Sequence, residues 1–167
     1  MAKAFLEFSR HKLLEEYWPR LRTAVARLSD EQVWWRPNEA SNSVGNLLLH
    51  LNGNVRQWLL GTFAHGDDAR DRPAEFAERQ LLPASQLLDT LDRTLHEVRV
   101  VLSRVSTQEL LATCHIQGYT VSGLAAIYHV VEHFGMHYGQ ILYVAKQLQG
   151  ADLGFYQELD RTGRLGD

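Results

Sequence analysis

The chain has 167 residues, a formal net charge of −3, 45% hydrophobic and 22% charged side chains, and one cysteine. Its length is most simply read as one domain over 1–167 with a substantial core. The composition argues against a disulfide scaffold and a basic nucleic-acid binder, and no apolar run approaches the roughly 18 residues of a membrane span.

The opening residues soon meet Arg10, His11 and Lys12, leaving no room for a secretion signal's apolar stretch. The expected location is therefore the cytoplasm, where the lone Cys114 stays reduced. Residues 3–28 carry apolar side chains at three- and four-residue steps, from Phe5 and Phe8 to Val25 and Leu28, and predict a first helix. Pro19 removes one backbone donor and is expected to kink or split it. Ser29-Asp30-Glu31-Gln32 reads as a capping box for a short turn ending near Trp35 and Pro37. A second helix is expected over about 43–63. Residues 64–83 hold two prolines, several charges and little periodicity, and read as a long connection. A third helix follows over about 84–104, with Leu87, Leu88, Leu91, Leu95, Val98 and Leu102 on its apolar stripe.

A second capping box, Ser106-Thr107-Gln108-Glu109, opens another short turn, and Cys114 to Thr120 has room to be extended. The fourth helix is expected over about 121–149, stopped by Gly150, with 151–167 as a tail. Helix, serine box, loop and histidine-bearing helix recur in that order in both halves, at residue identity too low for a duplication. The class is all-α, most simply a four-helix bundle.

The fourth helix carries His129, His133 and His137 at four-residue spacing, so the three stack along one stripe. At about 100° per residue, His137 falls inside the edge of the apolar arc, His133 at its margin and His129 about 40° farther out. His50 holds the matching margin on the second helix, beside Asn54. Ligands that face a neighbouring helix belong at such margins, and imidazole is the commonest ligand for divalent transition metals. A metal site on His50, His133 and His137 is thus the leading reading. Asn54, His129, Glu132 and Gln140 are candidates for support or proton transfer, Asn54 and Gln140 lying nearer the stripe than Glu132.

Each histidine alone also fits a hydrogen-bonded boundary residue. His129-Val130-Val131-Glu132-His133 matches H-x-x-E-H, which would leave His137 idle and take an acidic ligand from Glu158 or Asp160. A di-iron bundle needs inward glutamates on several helices that this pattern does not offer. Cys114 suits a packing role, and His11, His65, His96 and His115 suit surface or structural ones.

The segment Asn42-Ser43-Val44-Gly45-Asn46-Leu47-Leu48-Leu49-His50-Leu51-Asn52-Gly53-Asn54-Val55-Arg56-Gln57-Trp58, with Glu132-His133-Phe134-Gly135-Met136-His137-Tyr138-Gly139-Gln140 downstream, resembles the DinB-like superfamily of metal-binding bundles, in an uncharacterised branch. The resemblance covers roughly residues 5–150. It implies an up-down-down-up four-helix bundle and a metal held by His50, His133 and His137, with His129 outside the triad. It also implies a homodimer and a relationship to thiol-dependent transferases and isomerases.

Three neutral imidazoles around zinc leave a fourth position open, which marks a catalytic rather than a closed site. Zinc is the first expectation; nickel, iron and manganese suit the same ligands. Two functions are carried forward. One is a metal-dependent enzyme on a small molecule, either a low-molecular-weight-thiol S-transferase or a hydrolase. The other is a non-catalytic metal-binding or interaction bundle, with neither nucleic acid nor membrane as partner.

Overall fold

Serine caps and apolar periodicity set the element boundaries. The computed structural model describes residues 1–64, 66 and 69–157. The first rod, α1, is continuous from Ala2–His11 through a π-helical segment Lys12–Tyr17 into Trp18–Val25. Pro19 does not split it. Within the widened segment the Trp18 N–H reaches back to the Leu13 carbonyl, five residues away. The extra residue in the turn accommodates a ring that lacks an N–H and would press on the preceding turn.

The short α2 (Asp30–Trp34) is opened by a full capping box between Ser29 and Gln32. The next rod, α3, runs through Val44–Val55, a second π-helical segment Arg56–Gly61, and Thr62–Ala64. Then come α4 (Arg72–Ala77), α5 (Ala84–Arg104) and α6 (Thr107–Leu111). A two-stranded antiparallel hairpin, β1 (Thr113–Ile116) and β2 (Tyr119–Ser122), leads into α7 (Gly123–Gln149). Gln117 and Gly118 both have positive φ, 52° and 79°, at the two-residue turn. That turn matches the right-handed twist of the strands. The hairpin realises the extended stretch expected near Cys114 to Thr120, and it delays the fourth helix to Gly123.

Side-chain pairs fix the direction of each rod. Tyr17 stacks on Phe134 and Gln149 donates to the Ala24 carbonyl, so α1 and α7 run parallel. The Trp18 indole N–H donates to Asp92 at 2.7 Å and Arg99 pairs with Glu15 at 2.8 Å, so α1 and α5 are antiparallel. Thr94 donates to Asn52 and Arg56 lies 3.8 Å from Glu97, so α3 and α5 are parallel. His50 meets His133 and Asn54 meets His129, so α3 and α7 are antiparallel. The order is up-down-down-up. Leu21, Leu51, Leu91, Ile127 and Ile141 are among the fully buried side chains that all four rods contribute to the core. No helix among the described residues is long and apolar enough to cross a membrane.

Two parallel neighbours in sequence need a long crossover, which 64–83 provides. It is more than a connection. Arg72–Ala77 is helical and lies on α3, a correction to the sequence reading. Its anchors are polar, which is why periodicity missed it. The Asn46 amide accepts from Ser43 within the α3 capping box and donates to the carbonyls of Glu75 and Glu78 at 3.0 and 3.1 Å. At the far end, the Trp34 indole lies against Gly45 and donates to the Leu82 carbonyl at 2.9 Å. Asp30 accepts the Ala84 N–H at 2.7 Å and so caps α5 from another element. Beyond α7, Leu153 is buried and Phe155 packs on the core.

Two glycines of α7 should respond oppositely to alanine. A Cβ at Gly123 would collide with the Glu109 backbone carbonyl, whereas one at Gly139 meets open space. Thermal denaturation should show Gly123→Ala less stable by about 2 kcal/mol, roughly 5 °C. Gly139→Ala should gain about 0.5–1 kcal/mol from helix propensity.

Candidate metal centre

The antiparallel crossing of α3 and α7 brings three imidazoles together. His133 Nε2 lies 3.0 Å from His50 Nε2 and 3.2 Å from His137 Nε2. Candidate ligand atoms of the three side chains all fall within 4.8 Å of one another. Two nitrogens bound tetrahedrally to one zinc at about 2.05 Å sit about 3.3 Å apart, so the spacing suits a shared ion. His50 and His137 are buried; His133 is partly buried and reaches the adjoining cavity.

Hydrogen bonds behind the rings fix their tautomers. His137 Nδ1–H donates to Gln140 Oε1 at 2.7 Å. His50 Nδ1–H donates to Glu75 Oε2 at 2.9 Å. Arg70 Nη2 is also 3.0 Å from His50 Nδ1, but a guanidinium has no lone pair to accept that proton. Its N–H groups go to the carboxylate, Nε to Oε1 at 2.6 Å and Nη2 to Oε2 at 2.8 Å. The close approach to the ring is a side-by-side contact. Both outer imidazoles therefore turn an Nε2 lone pair toward His133. On the far side of its ring, His133 Nδ1 is buried with no hydrogen-bond partner among the described residues.

Glu75 and Arg70 are the residues that sequence reasoning missed. Burial by itself would raise the Glu75 carboxyl, but Arg70 and the His50 N–H outweigh it and hold it below the ordinary carboxylate range. The carboxylate behind a ligand-type histidine orients the ring and raises its basicity. The one sequence signal is Gly53, a helix-interior glycine one turn after His50. A Cβ there would strike the Glu75 carboxylate and crowd Arg70.

Of the four supporting candidates, Gln140 touches the triad directly. Asn54 Nδ2 lies 3.4 Å from His129 Nε2, and His129 stacks on Trp58 at 4.0 Å between ring centroids, outside the triad. Glu132 is exposed on α7 and acts on His129 only through its charge. His11 and His96 are exposed, and His115 bonds Thr120 within the hairpin. His65, Glu158 and Asp160 lie outside the described residues. The cluster takes in His137 and leaves His129 aside, the arrangement opposite to the H-x-x-E-H reading.

A cavity of about 800 Å³ opens on His50 and His133, walled by Asn54, Trp58 and His129 and by Gln117 and Tyr119 of the hairpin. The Trp58 indole N–H donates to Gln117 Oε1 at 3.2 Å, tying hairpin to bundle. Trp34, by contrast, is buried near the start of α5. Among the described residues no carboxylate lines this cavity. With three imidazoles facing one another and an open side, the centre can hold a divalent ion and keep one position accessible.

Burial, joined by the other histidines and Arg70, pushes His133 down to about 3, and burial also lowers His137 and His129. An unfolded histidine titrates near 6.5, so below that pH the unfolded chain binds protons that the folded chain resists. Stability is full above about pH 6.5 and is lost progressively toward pH 3. Urea midpoints in EDTA should fall over that window, and His133→Gln should flatten the slope. A midpoint independent of pH there would contradict this electrostatic picture.

Comparison with known proteins agrees with this architecture. Residues 1–157 match the family described as a protein of unknown function, DUF1572. No curated protein matches the chain. A conserved protein from Enterococcus faecalis superposes with a TM-score of 0.70 at 17% identity, over 87% of this chain and 97% of that one. The crystal structure of a DinB-like protein from Bacillus cereus ATCC 10987 superposes with a TM-score of 0.66 at 17% identity, covering 90% and 94% of the two chains. Helix order, crossover and hairpin thus sit in a bundle of known shape, and the chain belongs to the DUF1572 family on a DinB-like fold.

Proposed function

We propose that the chain holds one divalent transition-metal ion on His50, His133 and His137, and that it is a metal-dependent enzyme acting on a small molecule in the adjoining cavity. The observation that carries this reading is the convergence of three imidazoles, two of which, His50 and His133, line a cavity of about 800 Å³. Zinc is the first candidate, with nickel, iron and manganese compatible with the same ligands. Such an ion supplies an open coordination position that activates water or holds a thiol as thiolate. A low-molecular-weight-thiol S-transferase and a hydrolase are the two reaction classes, thiol transfer standing first by resemblance.

The chain's own residues have defined tasks in this reading. Glu75 and Gln140 hold the Nδ1 protons of His50 and His137 so that each ring offers Nε2. Trp58 and Tyr119 supply an aromatic wall that limits solvent at the open side. A homodimer in the cytoplasm belongs to the same proposal. Leu124, Tyr128, Met136 and Tyr143 are exposed on α7 and offer an apolar surface for self-association.

Elemental analysis of the purified protein should find one equivalent of metal in wild type and none in His50→Ala. Glu75→Gln should weaken metal affinity by about 10–100-fold. With metal bound, bacillithiol, mycothiol or glutathione plus an electrophile should give conjugation that EDTA abolishes. Metal retained by His50→Ala would sink the site, and hydrolysis without conjugation would select the other reaction. Sedimentation velocity should give a dimer, shifted toward monomer by Tyr128→Glu; a wild-type monomer would remove that part of the proposal.

A further inference from the structure

Two guanidiniums line the cavity above the histidines, and they differ in one respect. Arg70 is spent: its charge is matched by Glu75, and Nη1 donates to Gln57. Arg72 is exposed and makes no ion pair with any described residue. Its guanidinium sits over the Phe76 ring at 4.9 Å, and that ring packs on His50 at 4.6 Å between centroids. The stack holds a positive charge at the cavity edge, connected through Phe76 to His50. On a chain whose net charge is −3, this is a local cationic chamber without a lining carboxylate among the described residues.

A second feature points the same way. Asn54 lies on the cavity wall, only 3% exposed, and its Oδ1 is buried without a hydrogen-bond partner. Natural structures rarely leave such an atom unpaired. Turned slightly toward the cavity, that oxygen would accept from a hydroxyl, thiol or amine of a bound molecule. On the same lining the Trp58 and Tyr119 rings lie 6.3 Å apart, and Tyr119, 62% exposed, presents a flat apolar face.

We propose that this cavity selects a small carboxylate with a planar apolar body and one hydrogen-bond donor, its carboxylate bound by Arg72 and its donor by Asn54. The inference rests on the cavity being the substrate chamber of the proposed metal centre. Arg suits the task because its planar fork matches both carboxylate oxygens, and the Phe76 stack holds that fork in place. The apolar body takes the aromatic wall, which leaves the remaining functional group near the histidines.

Mandelate carries all three features and serves as the probe, with 1-phenylethane-1,2-diol as its uncharged counterpart. Calorimetry on metal-free and zinc-loaded protein should show mandelate binding in both, tighter with zinc, and at least about tenfold weaker binding of the diol. Arg72→Gln should lose roughly tenfold or more in mandelate affinity while keeping wild-type melting temperature and zinc stoichiometry; Arg72→Lys should recover part of the loss. Equal affinity in Arg72→Gln, equal binding of the diol, or no mandelate binding would each overturn the proposal. If zinc is not bound but Arg72-dependent mandelate binding persists, the metal reading falls and the carboxylate site stands. Stoichiometric zinc with mandelate binding indifferent to Arg72 overturns the carboxylate site and leaves the metal reading standing.

Discussion

Imidazole lone pairs aimed at one point repel one another unless something positive stands between them. His50 and His137 have their Nδ1 protons committed to Glu75 and Gln140, so both rings must turn an Nε2 lone pair toward His133. A helical bundle that only needed to bury apolar surface would gain nothing by fixing these tautomers. Leucines at the same helix margins would pack without any polar satisfaction. One Nε2 proton on His133 can answer only one of these two facing lone pairs at a time, so the cluster held in place by the surrounding fold leaves a focus that suits a cation.

Holding that cluster falls to the crossover between the two parallel rods. Asn46 binds α4 through backbone carbonyls, and α4 then delivers Glu75 to the back of His50, with Arg70 closing a bidentate pair on the same carboxylate. Arg70 and Glu75 side chains are 6% and 10% exposed. An ion pair so sheltered costs desolvation to form, and that cost is recovered only through good geometry and full hydrogen bonding. Here the third partner is the His50 N–H. The glycine at position 53 leaves the room that this arrangement needs. The up-down-down-up topology and the support of the site are thus linked, since the crossover that the topology requires is also the segment that orients His50.

The open side is built by different means. The hairpin between α6 and α7 adds Gln117 and Tyr119 over Trp58 and His129, and the Trp58–Gln117 hydrogen bond joins strand turn to helix. Trp58 itself lies in the π-helical segment of α3. An extra residue per turn shifts the phase of every side chain after it, and such segments recur at functional sites. Opposite, Arg72 on its Phe76 stack sets a positive edge. Rigid helices fix the floor and part of the wall, while the hairpin and the crossover complete it.

By itself the sequence determined the helical class, the four rods, the serine caps and the histidine register on α7. These are local matters: apolar residues repeating every three or four positions, and a Ser three residues before Gln or Glu, carry their physics within one turn. His50 was legible because its helical margin and its motif agree, and His137 because it lies nearer the apolar arc than His129. Tertiary structure alone decided that these imidazoles meet across α3 and α7, and that Pro19 is absorbed by a π-helical turn. It alone placed Glu75 and Arg70 behind His50. Their segment has no apolar period to announce it, because it is held by the Asn46 amide on α3 and by Glu75's own hydrogen bond to His50. Side-chain pairing across 20 or more residues depends on where the crossover lands, and nothing in the local pattern encodes that position.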